Sequence, residues 1–383
     1  MNKKLIALAV AGACVAPTVM AQTANPVTLY GRAYATFESV EAKGGATPVA
    51  RRNRVTDQAS YVGVRGTEDL GGGLKAFFQM EWGYRLDDNG TGILNVNQAA
   101  VAGAQGAAQG ATAATVANVN NTPFSGRNSA IGLQGGFGSI LLGRWDTPMK
   151  VTQTAVDPYG DLTLGDITGA ALRQGNFSLR MGNSVQYWSP TWAGFSVRGL
   201  YVANEAKNSN RNPGMWGGSV AYSAGNLYVA YAYEKHDNFR AGNPIENESE
   251  EGNALAASYK FGNLKISGQY GEYERTNTAK QKSYAAGLEW GFGKNVLLFL
   301  YQNSKDGGSN VATGTPPAAP AQPECDMYSI GYRYDFSRRT FFIASYTKVD
   351  NKIGSLCNFG TETIAIGANQ DPQGVGLGVR HLF

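Results

Sequence analysis

The sequence predicts an all-β fold, a 16-stranded antiparallel transmembrane β-barrel with short turns at one rim and long loops at the other. Three observations carry the prediction. Stretches of roughly ten residues alternate in polarity, the length a tilted strand needs to cross a bilayer. Tight Gly/Asn/Pro turns alternate with longer polar stretches along the chain. The composition also suits strands better than helices, with 50 Gly, 20 Tyr and only 16% charged residues in 383; each Gly inside a helix costs about 1 kcal/mol relative to Ala. A mean hydropathy of −0.28 fits strands that are greasy on one face only, whereas membrane helices would show long apolar runs.

The chain opens on a segment outside the barrel. Lys3 and Lys4 form a basic start, Leu5 to Val19 an apolar run, and Val19-Met20-Ala21 a small-residue cleavage site, the pattern of a secretory signal peptide. A membrane anchor would need ~20 apolar residues, and Pro17 interrupts this run. Residues 1–21 are therefore read as a signal peptide and 22–383 as one barrel domain. Loss of Lys3 and Lys4 lowers the net charge from +4 to +2, far too little for a nucleic-acid footprint.

Seven tight turns follow: Asp69 to Gly73, Gly135 to Gly138, Pro190 to Gly194, Ala224 to Asn226, Phe261 to Asn263, Gly291 to Asn295 and Ser337 to Arg339. They make seven hairpins. A first strand from about Val27 to Glu38 and a last from about Gln373 to Phe383 bring the total to sixteen, an even number whose ends can pair.

Alternation shows what each face meets, because successive strand side chains point to opposite sides. Leu227, Val229, Tyr231 and Tyr233 alternate with Tyr228, Ala230, Ala232 and Glu234. Val375, Leu377, Val379, His381 and Phe383 alternate with Gly374, Gly376, Gly378, Arg380 and Leu382. A soluble β-sandwich alternates too. Against it stand aromatic residues at strand ends, as in Tyr187-Trp188, Tyr259, Trp290 and Tyr332 to Phe336, which suit girdles at two membrane interfaces. Turn lengths also differ systematically between the two ends of the strands, as they do between the two rims of a barrel.

Four segments carry a family resemblance: Arg65-Gly66-Thr67-Glu68-Asp69-Leu70-Gly71-Gly72-Gly73-Leu74-Lys75-Ala76, Asn183-Ser184-Val185-Gln186-Tyr187, Gly331 to Thr340, and the ending Gly378-Val379-Arg380-His381-Leu382-Phe383. Together they resemble Gram-negative general porins of the β-proteobacterial type, over essentially the whole mature chain. The resemblance implies a homotrimer in the outer membrane with one water-filled pore per subunit, narrowed by the third outer loop folding inside. It also implies that Phe383 is an assembly signal presented to the outer-membrane insertion machinery.

The residues locate that third loop themselves. Between Trp145 and about Ser178 lies a long stretch with Asp146, Asp157, Asp161 and Asp166. By itself it reads equally as a loop tucked into the pore or as a solvated surface loop; the resemblance implies the constriction. Basic residues fall in the wet phase on several strands: Arg32, Arg65, Lys75, Arg198, Arg333 and Arg380, with Arg144 just before the inner loop. A lipid-facing Arg costs ~2–4 kcal/mol near the midplane, so these should point inward. Each alone could be a structural wall residue. As a set, facing the loop acids across a narrow opening, they would create a transverse field, and their excess predicts a mild preference for anions among small hydrophilic solutes.

Cys325 and Cys357 fall in the predicted seventh and eighth outer loops, in an oxidising compartment, and are expected to form a disulfide. Asn89 to Gly126 contains no charged residue and is read as a low-complexity second outer loop. Enzyme chemistry finds little footing. The mature chain has two His, of which His236 is expected in a solvated loop and His381 on the lipid-facing phase; no GxSxG, HExxH or Cys/His cluster with metal spacing occurs. No metal or cofactor is called for. Two other readings stay open, a loop-mediated adhesin or receptor, and a substrate-specific channel. The latter would need aromatics along the lumen, for which Tyr30, Tyr34 and Tyr228 are in the inward phase.

Overall fold

The computed structural model describes residues 27–87, 126–160, 163–167, 177–240, 243–276, 280–305, 324–360 and 362–383. Residues 1–21, predicted as a signal peptide, almost all of the Asn89 to Gly126 stretch, and Asp161 lie outside the described residues.

The first strands are β1 (Thr28–Gly44), β2 (Val49–Asp57), β3 (Tyr61–Gly71), β4 (Leu74–Gly83), β5 (Ser129–Gly135), β6 (Gly138–Asp146), β7 (Arg180–Trp188) and β8 (Phe195–Val202). Then come β9 (Gly214–Ala224), β10 (Leu227–Arg240), β11 (Asn243–Phe261), β12 (Leu264–Arg275) and β13 (Gln281–Phe292). β14 (Asn295–Lys305), β15 (Cys325–Asp335), β16 (Thr340–Asn351) and β17 (Gln370–Leu382) complete the sheet. The seven predicted tight turns join β3 to β4, β5 to β6 and so on to β15 and β16. β1 closes the barrel against β17, antiparallel from Arg32↔Leu382 to Gly44↔Gln370. At the foot of that seam, Phe383 and Gly31 exchange backbone hydrogen bonds of 3.0 and 3.1 Å.

β2 and β3 share the other edge of β1, β2 along its upper half and β3 along its lower. They occupy one barrel position, so the closed sheet has sixteen. The break between them, at Gln58-Ala59-Ser60, has a local cause. Ala59 adopts φ 54°, its carbonyl accepts from Arg32 Nη2 at 2.6 Å, and Ser60 Oγ takes the Tyr34 N–H at 3.0 Å in place of a ladder carbonyl. β1 runs past its predicted end at Glu38 to Gly44. β10 and β11, with 14 and 19 residues, exceed the ~9–11 that a crossing needs, so their outer ends run past the membrane band.

The outer face follows the predicted phase. Phe37, Leu142, Leu255, Ile266, Leu377 and Val379 are exposed around the barrel. Exposed Phe137, Trp192, Phe261, Trp290 and Phe336 lie beside the short turns, while Tyr201, Trp216, Tyr328 and Tyr346 lie toward the other rim, which gives the two girdles. Trp188 departs from the expected girdle: Gln186 on its phase is buried, and its indole faces the lumen beneath Arg198.

The disulfide Cys325–Cys357 forms, with the Cα atoms 6.4 Å apart. Cys325 is the first residue of β15 and fully buried, not a loop residue. The bond therefore pins the last loop down onto the inner top of the barrel, among Val40, Leu164, Met327, Val349 and Phe359. Cys357→Ser is expected to lower unfolding stability by about 2–4 kcal/mol. Denaturation midpoints read by heat-modifiable electrophoretic mobility check this; a reductant should lower the wild-type midpoint to that of the variant and leave the variant unmoved.

Candidate functional site in the barrel lumen

After β6 the chain turns into the barrel instead of out of it. The side chain of Thr147 accepts from Lys150 N at 3.2 Å and caps a short helix, α1 (Pro148–Thr154); Pro148 begins it, where a missing N–H costs nothing. From there the segment lies along the inner wall. Met149 N–H donates to Glu234 Oε1 at 3.3 Å, Gln153 Nε2 to the Tyr273 hydroxyl at 2.8 Å, and Ser267 Oγ to the Val156 carbonyl at 2.7 Å. Further on, Gln302 Nε2 donates to the Asp166 carbonyl at 2.8 Å. Thr163 N–H reaches Gln58 Oε1 at 3.0 Å, so the break between β2 and β3 is where the inner segment lands.

Two wall glycines make room for it. A Cβ on Gly287 would lie 2.6 Å from Pro158 Cγ, and one on Gly331 3.0 Å from the Tyr159 ring. Val156, Tyr159 and Ile167 share a core with inward-facing Leu298, Leu300, Phe341 and Ile343. Each such side chain contributes about 1.5–3 kcal/mol on burial, enough to hold the segment inside. Burial, and after it the charge of Asp157, raises the Tyr159 phenol above its ordinary range and keeps it neutral. The run Val296-Leu297-Leu298-Phe299-Leu300 is apolar in both phases, the sequence signal of a wall covered on both faces.

The acids of this segment do not stand as expected. Asp157 and Asp166 are 5% and 1% exposed. Asp157 accepts from Tyr159 N at 2.8 Å and from Ile167 N at 3.3 Å, so it shapes the loop. Asp166 lies against Gly360 of the last loop. The reason is the apolar seat: a loop that packs on a wall must satisfy its own backbone N–H groups, and carboxylates do so. Asp146 is the last residue of β6, not a loop residue, and pairs with Arg180 Nη2 at 3.0 Å.

Five of the seven predicted basic residues stand against aromatic rings on the inward phase. Arg32 Cζ lies 5.2 Å from the Tyr61 ring centre and Arg65 Cζ 4.9 Å from that of Tyr30. Arg198 sits 4.9 Å over Trp188. Arg380 and Arg333 sit 4.1 and 5.6 Å over Phe341, with Arg333 also paired to Asp335 at 2.9 Å. Lys75 is exposed at the foot of β4, opposite Asp69 and Gln134. Arg144 sits half-buried in a β6 bulge between Gly143 and Trp145.

Two cations escaped the sequence reading. Arg127 lies 4.7 Å over Tyr61 and 3.7 Å from Glu81, just ahead of β5. Arg180 opens β7, where the loop was expected to be ending. Burial first, then Arg180 and Arg32, lower the Arg127 guanidinium to about 10, which still leaves it charged at neutral pH.

His236 also departs from expectation. It lies on β10, fully buried, with Glu234 3.6 Å from Nε2, Glu250 3.7 Å from Nδ1, and Phe177 stacked on its ring at 4.7 Å. The inward phase of an extended strand, covered by both ends of the inner segment, takes the place of the solvated loop. Among the described residues no group of His, Cys, Asp and Glu is arranged to hold a metal ion.

Similarity to known proteins agrees with this geometry. Outer membrane porin protein 32 of Delftia acidovorans is 27% identical over 401 residues, covering 100% of both chains. Major outer membrane protein P.IB of Neisseria gonorrhoeae is 28% identical, covering 90% of this chain and 92% of its own. The solved anion-selective porin from Comamonas acidovorans superposes with TM-score 0.71 at 23% identity, over 94% of this chain and 100% of its own. The Gram-negative porin family profile matches residues 7–354. A match over most of the chain says what a closed barrel with a charged lumen is for: the chain belongs to the Gram-negative porins and is an outer-membrane channel for small hydrophilic solutes.

Proposed function

We propose that this general diffusion pore favours small anions, and that the inner segment is its constriction. The observation that carries the reading is the state of Arg198 and Arg380. Both face the lumen, each stacked on an aromatic ring, and neither has a carboxylate within ion-pair distance among the described residues. Wall cations held on rings keep their field, whereas Arg180 and Arg333 share theirs with Asp146 and Asp335. Charge rings in a lumen select ions by sign. The anion selectivity of the Comamonas porin supports the same reading.

The rest of the proposal follows the family. Residues 1–21 are removed on export, the barrel assembles as a homotrimer, and Phe383 at the closing seam is the signal read by the insertion machinery. The channel carries the biology, with no enzymatic step assigned to it. Arg198→Gln with Arg380→Gln is expected to move the zero-current potential under a KCl gradient toward the potassium side. Planar-bilayer recordings measure it, with wild type reversing toward the chloride potential; a wild-type pore reversing at the potassium potential would refute the anion reading.

A further inference from the structure

All six described contacts between an arginine and an aromatic face lie in the lumen. An inorganic anion needs only the charge. The rings add a second kind of surface, and it is most complete on β6 to β8. There the Trp188 indole donates from Nε1 to Gln186 Oε1 at 3.1 Å, which fixes its plane. Trp145 meets it edge to face, with ring centres 5.3 Å apart, and Arg198 lies over it at 4.9 Å. Both indoles and the guanidinium are half-buried, each with part of its surface open.

From this arrangement we infer a binding site for aryl carboxylates, small flat rings bearing one carboxylate, formed by Trp145, Trp188 and Arg198. The inference rests on the anion reading above and names a solute class for the same lumen. The guanidinium presents N–H donors in a planar fork that matches a carboxylate. Its weakly hydrated face and the neighbouring indoles accept a flat ring by offset or edge contact. Asp146, the nearest lumenal acid by sequence, is occupied by Arg180. Acetate can use the fork alone, and cyclohexanecarboxylate fills a similar volume without a flat π-face.

The test is ion-current block in planar bilayers, with benzoate, cyclohexanecarboxylate and acetate added at constant ionic strength. Benzoate is expected to interrupt the current saturably, at a half-blocking concentration about tenfold below that of acetate, with cyclohexanecarboxylate between them. In Trp188→Leu, and separately in Trp145→Leu in case the first fails to fold, the benzoate-to-acetate ratio should collapse toward one. Equal block by benzoate and acetate in wild type, or a ratio that survives both substitutions, would overturn the site. Zero-current potentials in KCl alone, from the same membranes, report on anion preference separately, so failure of one reading is distinguishable from failure of the other.

Discussion

Leucine at both Gly287 and Gly331 is expected to narrow the pore and lower single-channel conductance by a factor of about two or more. The inner segment rests on these positions without a gap, Pro158 against the first and Tyr159 against the second. Side chains grown from the wall must push it toward the axis, because α1 is held at Met149 and the landing at Thr163. Overpacking of this kind costs typically 1–3 kcal/mol per site, comparable to the burial of Val156, Tyr159 and Ile167 that holds the loop. Recordings in planar bilayers check the outcome, beside a denaturation midpoint that confirms a folded barrel. A conductance equal to wild type in a folded double variant would mean that the segment does not lie on these glycines.

The second large effect is on the opposite face. Leu377→Arg is expected to destabilise the inserted barrel by ~2–4 kcal/mol, the cost of an arginine facing lipid near the midplane. Leu377 is exposed to the outside at the middle of β17, opposite Phe37 on β1 and Ala344 on β16. Three residues on, Arg380 is tolerated because the odd offset turns it inward, over Phe341. Urea unfolding from lipid vesicles, followed by heat-modifiable mobility, gives the comparison; a variant as stable as wild type would contradict the assignment of this face to lipid.

The site was legible in the sequence to different depths. Arg32, Arg198, Arg333 and Arg380 could be placed inside because a period-two pattern and the cost of a lipid-facing charge leave one direction open. Arg127 and Arg180 were missed, since they sit at strand edges where the alternation has not begun. Trp188 was assigned to the girdle because it follows Tyr187 at a strand end, and the two faces differ by a single residue. His236 was misplaced for a related reason: polar neighbours resemble a loop, while the strand goes on beyond the membrane.

The sequence by itself determined the barrel, its strand count, the seven short turns, which side of most strands meets lipid, and the compartment in which Cys325 and Cys357 oxidise. These follow from local periodicity and from solvents that differ on the two faces. Only the tertiary structure decided that the third loop packs on the inner wall, that Asp157 serves the loop's own backbone while Asp166 lies against the last loop, and that arginines rest on aromatic rings. The break between β2 and β3, where Gln58 receives Thr163, likewise appears only there. The hydrogen bonds between the inner segment and the wall join residues up to 136 positions apart, and the energies of such contacts depend on packing and hydrogen-bond satisfaction across the lumen, which no local pattern encodes.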